Sequence, residues 1–164
     1  MINSAIVKTP LGPMTVAVDG GALTGLWFIG QKYYPMNTSA WVANADDPVF
    51  KMLQSWLNEY FTGSRSAPAF DIHPTGTPFQ LDVWHMLREI PYGEVTTYGE
   101  IAKKLAKMMG LSSMSAQAVG GAVGHNPISI LIPCHRVVGS GGKLTGYAGG
   151  LDRKRALLLL ERGE

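Results

Sequence analysis

The first third of the chain alternates short apolar runs with turn residues. Ala5-Ile6-Val7, Met14-Thr15-Val16-Ala17-Val18 and Ala22-Leu23-Thr24-Gly25-Leu26-Trp27-Phe28 carry the apolar positions; Pro10-Leu11-Gly12-Pro13 and Asp19-Gly20-Gly21 separate them. Apolar runs of this length between turn signals predict an antiparallel three-stranded meander. Residues 31–45 show no period and read as a loop. Asp46-Asp47-Pro48 then opens a helix, with an acidic cap and proline at its first position. Val49, Phe50, Leu53, Trp56, Leu57, Tyr60 and Phe61 recur at helical spacing, and Gly63 is placed to end the helix. This stripe is expected to pack on the meander rather than bind a ligand. Phe70-Asp71-Ile72 reads as one more strand.

The second half is patterned for helices. His73-Pro74-Thr75-Gly76 reads as a linker, so the chain divides into residues 1–73 and 77–164. Thr77-Pro78-Phe79-Gln80 is a capping-box pattern, followed by Phe79, Val83, Leu87 and Ile90 on one side and stopped at Pro91-Tyr92-Gly93. Thr97-Tyr98-Gly99-Glu100 is read as a second capping box, opening a helix with Ile101, Ala102, Leu105 and Met108 inside and Lys103, Lys104 and Lys107 outside. Ser112 to Ser115 can cap another helix, from Ala116 to about Gly124. Two helices joined by a short break predict a helix-turn-helix.

The second of those helices is crowded with tiny residues: Ala116, Ala118, Gly120, Gly121, Ala122 and Gly124. Each glycine costs a helix about 1 kcal/mol relative to alanine, so a body must approach closely. Packing against the segment around Cys134 is one explanation; insertion into a DNA minor groove is another. The last segment, Leu151 to Arg162, reads as a core helix. Glu161 sits in its final turn, where the helix dipole disfavours a carboxylate, so it calls for a partner.

Ile130-Leu131-Ile132-Pro133-Cys134-His135-Arg136-Val137-Val138 contains the only cysteine of the chain. The flanking apolar residues place it in or just after a buried strand-like segment. Pro133 removes a backbone donor and is expected to turn Cys134 out of regular pairing and into a pocket. A thiol becomes a good nucleophile when a neighbouring imidazole or positive field helps it ionise. A buried, inert cysteine is the competing reading.

Pro133-Cys134-His135-Arg136, preceded by Asn126-Pro127 and followed by Gly146-Tyr147-Ala148-Gly149-Gly150, resembles the O6-alkylguanine-DNA alkyltransferases. The resemblance runs from about Pro78 to Glu161; residues before it match in outline. It implies an α+β protein of two domains: an N-terminal antiparallel sheet with a helix (ribonuclease H-like), then a mostly helical, winged-helix-like domain with the helix-turn-helix. It implies repair of O6-alkylguanine, with O4-alkylthymine as a second substrate, by single-turnover transfer of the alkyl group to Cys134 after base flipping. His135 would help form the thiolate through a bridging water and Glu161 would orient the imidazole. Asn126 would tie the helix-turn-helix to the cysteine segment, and Tyr98 would assist the departing guanine and crowd its 3′ phosphate. Val137, Tyr147, Ala148 and Gly149 would hold the base. Ser115, Gln117, Ala118, Gly121 and Tyr98 would meet the minor groove of double-stranded DNA. Arg136 is expected to point away and pair within its domain.

Two departures stand out. Many relatives carry arginine, which fills the hole left by the flipped base, where this chain has Gln117. The connection from Lys107 to Met114 is also longer than usual. Three other readings stay open: a lesion sensor without transfer activity, which would lack the cysteine; a cysteine hydrolase, for which adjacent Cys and His on an extended strand point to opposite faces; and a helix-turn-helix regulator with an inert Cys134.

Composition narrows the classes further. The net charge is only +2. Lys8, Lys32, Lys51 and Arg65 are outnumbered by acidic side chains up to residue 78, so the cationic excess lies in the C-terminal half. That fits modest, salt-sensitive phosphate contact. No apolar run is long enough for a membrane span and no secretory signal opens the chain. A single cysteine excludes an internal disulfide and suits a reducing cytoplasm. His73, His85, His125 and His135 lack ligand spacing, so neither metal nor cofactor is expected. The expected state is a monomer.

Overall fold

The computed structural model describes residues 1–164. Its N-terminal part is a five-stranded sheet. β1 (Ile2–Val7), β2 (Met14–Asp19) and β3 (Ala22–Phe28) form the expected antiparallel meander, with a bulge at Ala17/Val18. Two short parallel strands complete its edges: β4 (Val42–Ala43) beside β1 and β5 (Asp71–Ile72) beside β3. β4 corrects the loop expected over residues 31–45; two residues are too few to carry a period. α1 (Pro48–Tyr60) starts where Asp47 accepts a hydrogen bond from the Val49 N–H at 3.0 Å. It buries Val49, Phe50, Leu53, Leu57 and Tyr60, each large apolar side chain contributing about 1.5–3 kcal/mol.

Four helices dominate the rest. α2 (Pro78–Arg88) has the full capping box of Thr77 and Gln80. α3 (Tyr98–Met108) has only half of one. Thr97 Oγ1 accepts from the Glu100 N–H at 3.1 Å, but the Glu100 carboxylate lies 3.9 Å from Lys103 Nζ. Met108, expected inside, is 59% exposed, because the last turn of α3 runs past the packed stripe. α4 (Ala116–Gly124) is capped by Ser115 and completes the helix-turn-helix. Trp84 of α2 donates its indole N–H to the Ala122 carbonyl at 2.8 Å, tying α2 to α4. β6 (Thr96–Thr97) pairs in parallel with β7 (Val137–Val138), and α5 (Leu151–Glu161) closes the domain.

The segment before Cys134 is not the expected strand. It touches the sheet through a bridge between Leu26 and Ile128, with Leu26 N–H donating to Pro127 O at 2.8 Å and Ser129 N–H to Leu26 O at 3.0 Å. It then coils: Ile132 N–H turns back to Ile128 O at 3.1 Å, and Ile130 takes φ +72°. A β-branched residue rarely adopts that left-handed conformation, at a cost of about 1–2 kcal/mol. The Asn126 side chain supports the coil, accepting from Ile128 N–H at 3.0 Å and donating to Ile132 O at 2.7 Å.

Candidate active site

Pro133 leads into a 3-10 turn, Cys134–Arg136. Successive residues of such a turn fan out by about a third of a circle. Cys134, His135 and Arg136 therefore serve different surroundings. Cys134, 7% exposed, meets a cavity of ≈ 280 Å³. Of the residues expected to bind base or DNA, Tyr98, Gly121, Tyr147 and Ala148 line that cavity with it.

His135 is fully buried, and its Nε2 stands 2.7 Å from Glu161 Oε2. An ionised carboxylate only accepts, so Nε2 carries the proton and Nδ1 keeps its lone pair. Nδ1 is buried without a hydrogen-bond partner. Burial lowers the His135 pKa, with Glu161 opposing and the Arg136 and Lys154 charges adding to the fall, so the ring is a neutral base at pH 7. Arg136 pairs within its domain as expected but does not point away from the reactive pair, since it shares a carboxylate with His135: Nε and Nη2 donate to Glu161 at 2.7 and 2.9 Å, and Nη1 to the Ile90 carbonyl at 2.7 Å. This is the partner Glu161 required. Burial pushes the carboxyl up, but hydrogen bonds from His135, Arg136 and Tyr60 outweigh it and hold Glu161 well below the usual carboxylate range.

Burial also pushes the Cys134 thiol up. The Asn126 amide, the Lys154 ammonium and the backbone N–H of Cys134 oppose it. Burial disfavours the thiolate, and a nearby base adds to these three positive ends in favouring it. Burial raises the Tyr98 phenol too, keeping it a donor; its hydroxyl reaches the Thr145 carbonyl at 3.4 Å. The Tyr147 hydroxyl is buried with no partner.

Other expected site residues stand apart from the cavity. Val137 is buried in β7, and Gly149 lies behind the wall. A side chain at Gly149 would come within 2.8 Å of the Tyr147 ring and 3.0 Å of Phe28, so glycine sets the place of Tyr147. Ser115, Gln117 and Ala118 are exposed at the start of α4. The glycines of α4 are not explained by close packing against the cysteine segment. A Cβ at Gly120 would lie 3.8 Å from the Tyr98 ring, and one at Gly121 would meet nothing within 4 Å. Both instead border the cavity.

Several site residues escaped the sequence reading. Lys32 and Tyr33, from the loop after β3, form part of the cavity wall. Tyr33 has φ +61° and stacks on His125 with ring centroids 3.8 Å apart. Lys32 N–H donates to the Ala148 carbonyl at 3.0 Å. Lys154 is fully buried, donating to the Thr145 and Gly146 carbonyls at 2.7 and 3.0 Å; it holds the segment that carries Tyr147 and Ala148. A signal for Lys154 existed: it shares a helical face with Leu157, Leu158 and Glu161. Tyr60, on the apolar stripe of α1, donates its hydroxyl to Glu161 Oε2 at 2.5 Å. No group of three His, Cys, Asp or Glu side chains stands together to hold a metal.

Comparison with known proteins agrees in both halves. Residues 78–163 match the family model described as 6-O-methylguanine DNA methyltransferase, DNA binding domain, and residues 2–73 that of its ribonuclease-like domain. A methylated-DNA–protein-cysteine methyltransferase of Mycobacterium tuberculosis is 45% identical over 99% of this chain and 93% of its own. One from Methanosarcina acetivorans is 43% identical over 96% of each. The crystal structure of Mycobacterium tuberculosis OGT in complex with DNA is similar with TM-score 0.83 and 42% identity, over 98% of this chain and 93% of that one.

Proposed function

The chain belongs to the 6-O-methylguanine DNA methyltransferase family, and we propose from that premise how its residues repair alkylated DNA. The activity is transfer of an alkyl group from O6-alkylguanine in double-stranded DNA to Cys134, once per molecule. The lesion reaches the cavity as a base flipped from the stack. The neutral His135 accepts the thiol proton at Nδ1 through a bridging water, and Glu161 stabilises the imidazolium through Nε2–H. The thiolate attacks the alkyl carbon; the S–C bond forms as the O6–C bond breaks. Tyr98 donates to the departing guanine as its negative charge develops. The backbone of Tyr147 and Ala148, on the cavity wall, orients the base. Water and an imidazole do not cleave an unactivated thioether C–S bond, so the protein is consumed.

The observation that carries this reading is the thiol at a cavity with a neutral, carboxylate-held imidazole next to it in the chain. Ser115, Gln117, Ala118 and Gly121 offer a small, exposed helix face to the minor groove, with Tyr98 beside the 3′ phosphate. O4-alkylthymine presents a comparable alkyl ether and is the second substrate. The reading needs neither cofactor nor metal, and it describes a monomer acting in the cytoplasm, whose reducing conditions suit a free thiol. No helix is long and apolar enough to cross a membrane. Residues 1–73 act as the supporting domain and 77–164 carry the site.

Incubation with an O6-methylguanine duplex, followed by mass spectrometry, tests it. One methyl per molecule on Cys134 is the expected result. Continuous turnover would establish a hydrolase, and tight binding with unchanged mass a lesion sensor.

A further inference from the structure

The Glu161 carboxylate receives more donors than a partnership with His135 alone requires. His135 Nε2–H and Arg136 reach it from the 3-10 turn, and the Gly93 N–H lies 3.5 Å away. The remaining donor crosses from the N-terminal domain. Tyr60, the last residue of α1, places its hydroxyl 2.5 Å from Oε2, the same oxygen that receives the His135 proton. Tyr60 is 2% exposed, and its ring is fixed on three sides. It stacks on Trp56 at 5.3 Å and meets Phe61 and Tyr92 edge-on at 5.2 and 6.1 Å.

We propose that Tyr60 is a positioning residue for alkyl transfer: by sharing Oε2 with His135, it limits the carboxylate's hold on the imidazole proton and sets the acid limit of the reaction. The inference rests on His135 being the proton acceptor for Cys134. With Arg136 Nη2 at 2.9 Å, three donors share Oε2 and divide its basicity, and Tyr60 is the one that comes from outside the turn. Without the phenol, Oε2 holds Nε2–H more strongly, the imidazolium gains stability, and His135 stays protonated to higher pH. A protonated ring cannot accept the thiol proton.

The other charged and titratable neighbours do not take over this task. Arg136 stays charged and spends its guanidinium on both Glu161 oxygens and Ile90. Lys154 acts on His135 through charge alone, its ammonium being held by Thr145 and Gly146. Tyr92 donates to the Leu160 carbonyl at 3.5 Å rather than to the carboxylate. Tyr60 itself remains a donor at every working pH, because burial and then the facing carboxylate push its phenol far above the ordinary tyrosine range.

The test is the single-turnover methyl-transfer rate between pH 5 and 8, with the His135 ring titrated by NMR in the same proteins. Tyr60→Phe keeps the ring and removes the donor. It is expected to move the acid midpoint and the ring titration upward together by about half to one pH unit, the scale of one hydrogen bond to a charged acceptor. Site-specific 3,5-difluorotyrosine at position 60, a stronger donor of nearly the same shape, is expected to move both downward. Tyr92→Phe is expected to leave both in place. An unchanged midpoint in the Phe variant, a rate scaled equally at all pH values, or an equal shift from Tyr92→Phe would overturn the inference and make Tyr60 merely structural. Failure of the unmodified protein to take up methyl would instead sink the functional reading. A ring titration that does not coincide with its acid limb would overturn His135 as the acceptor, and this inference with it.

Discussion

Glu161→Gln keeps the size of the side chain and removes one charge from a buried cluster, which makes it the sharpest test of what holds the active-site turn. Glu161 is 2% exposed and the Arg136 side chain 11%. After the change, the Arg136 guanidinium keeps Ile90 but loses its counter-charge at 2.7 Å. Stranding one member of a buried ion pair costs about 3–5 kcal/mol. A domain of this kind is stable by about 5–15 kcal/mol, so the loss is a large share. Urea unfolding at pH 7 measures it. Arg136→Met alone strands the carboxylate less severely, because His135 and Tyr60 still donate to it. The double variant has no stranded charge and is expected to be at least about 1 kcal/mol more stable than the sum of the single losses implies. Acidification gives a second reading. The Glu161 pKa is depressed, so its contribution is complete above the unfolded carboxyl value of about 4.3 and is lost as pH falls through the folded one. The gap between wild type and Glu161→Gln is therefore expected to begin narrowing below about pH 4.3 and to shrink progressively with further acidification. Additive single losses, or a cost under about 1 kcal/mol at pH 7, would refute the role given to this pair.

Three further outcomes are expected. Burial lowers the Lys154 pKa from 10.5 to about 8, so between those values the unfolded chain binds a proton that the folded chain has released. Stability should then rise from about pH 8 towards 10, and Lys154→Met should flatten the rise in urea titrations; parallel curves would exclude it. Tyr33→Ala removes the ring stacked on His125 from the cavity wall. The rate with O6-benzylguanine is expected to rise severalfold relative to O6-methylguanine, and an unchanged ratio would mean that the ring does not limit entry. Gln117→Arg is expected to tighten duplex binding or speed duplex repair without changing the reaction with free O6-benzylguanine; equal effects on both would place Gln117 elsewhere in the mechanism.

Local signals carried far in this chain. Thr77 to Gln80 is a complete capping box because its two reciprocal bonds span four residues. Asp47-Pro48 starts α1 for the same reason. The misses come from local competition for hydrogen bonds in two places and from long-range contacts in the others. Ile128 to Ile132 has the composition of a strand, yet its backbone coils because Asn126 and Pro133 offer it other geometry. Glu100 forms no second capping bond, its carboxylate lying beside Lys103 instead. Tyr60 reads as one more apolar position on α1, and its hydroxyl gains meaning only from a carboxylate 101 positions later. Lys32 and Tyr33 lie in a stretch without period, and only the fold brings them to the cavity.

The same distinction separates the chemistry from its control. Cys134 and His135 adjoin in the chain, and the turn after Pro133 sets the thiol on the cavity and the imidazole against Glu161. The state of that imidazole is not local. Burial lowers its pKa, Glu161 of the last helix raises it, and Arg136 and Lys154 lower it again. Glu161 and Lys154 come near the ring only when the last helix packs beside the turn that carries it. In the unfolded chain the pair would be an ordinary thiol beside an ordinary histidine, largely unionised at neutral pH. Tyr60 donates to Glu161 from the first helix, so formation of the full relay requires the N-terminal domain as well as the helix-turn-helix. Nucleophilic competence is thereby tied to complete folding, and a thiol spent only once is not raised to reactivity before its pocket exists.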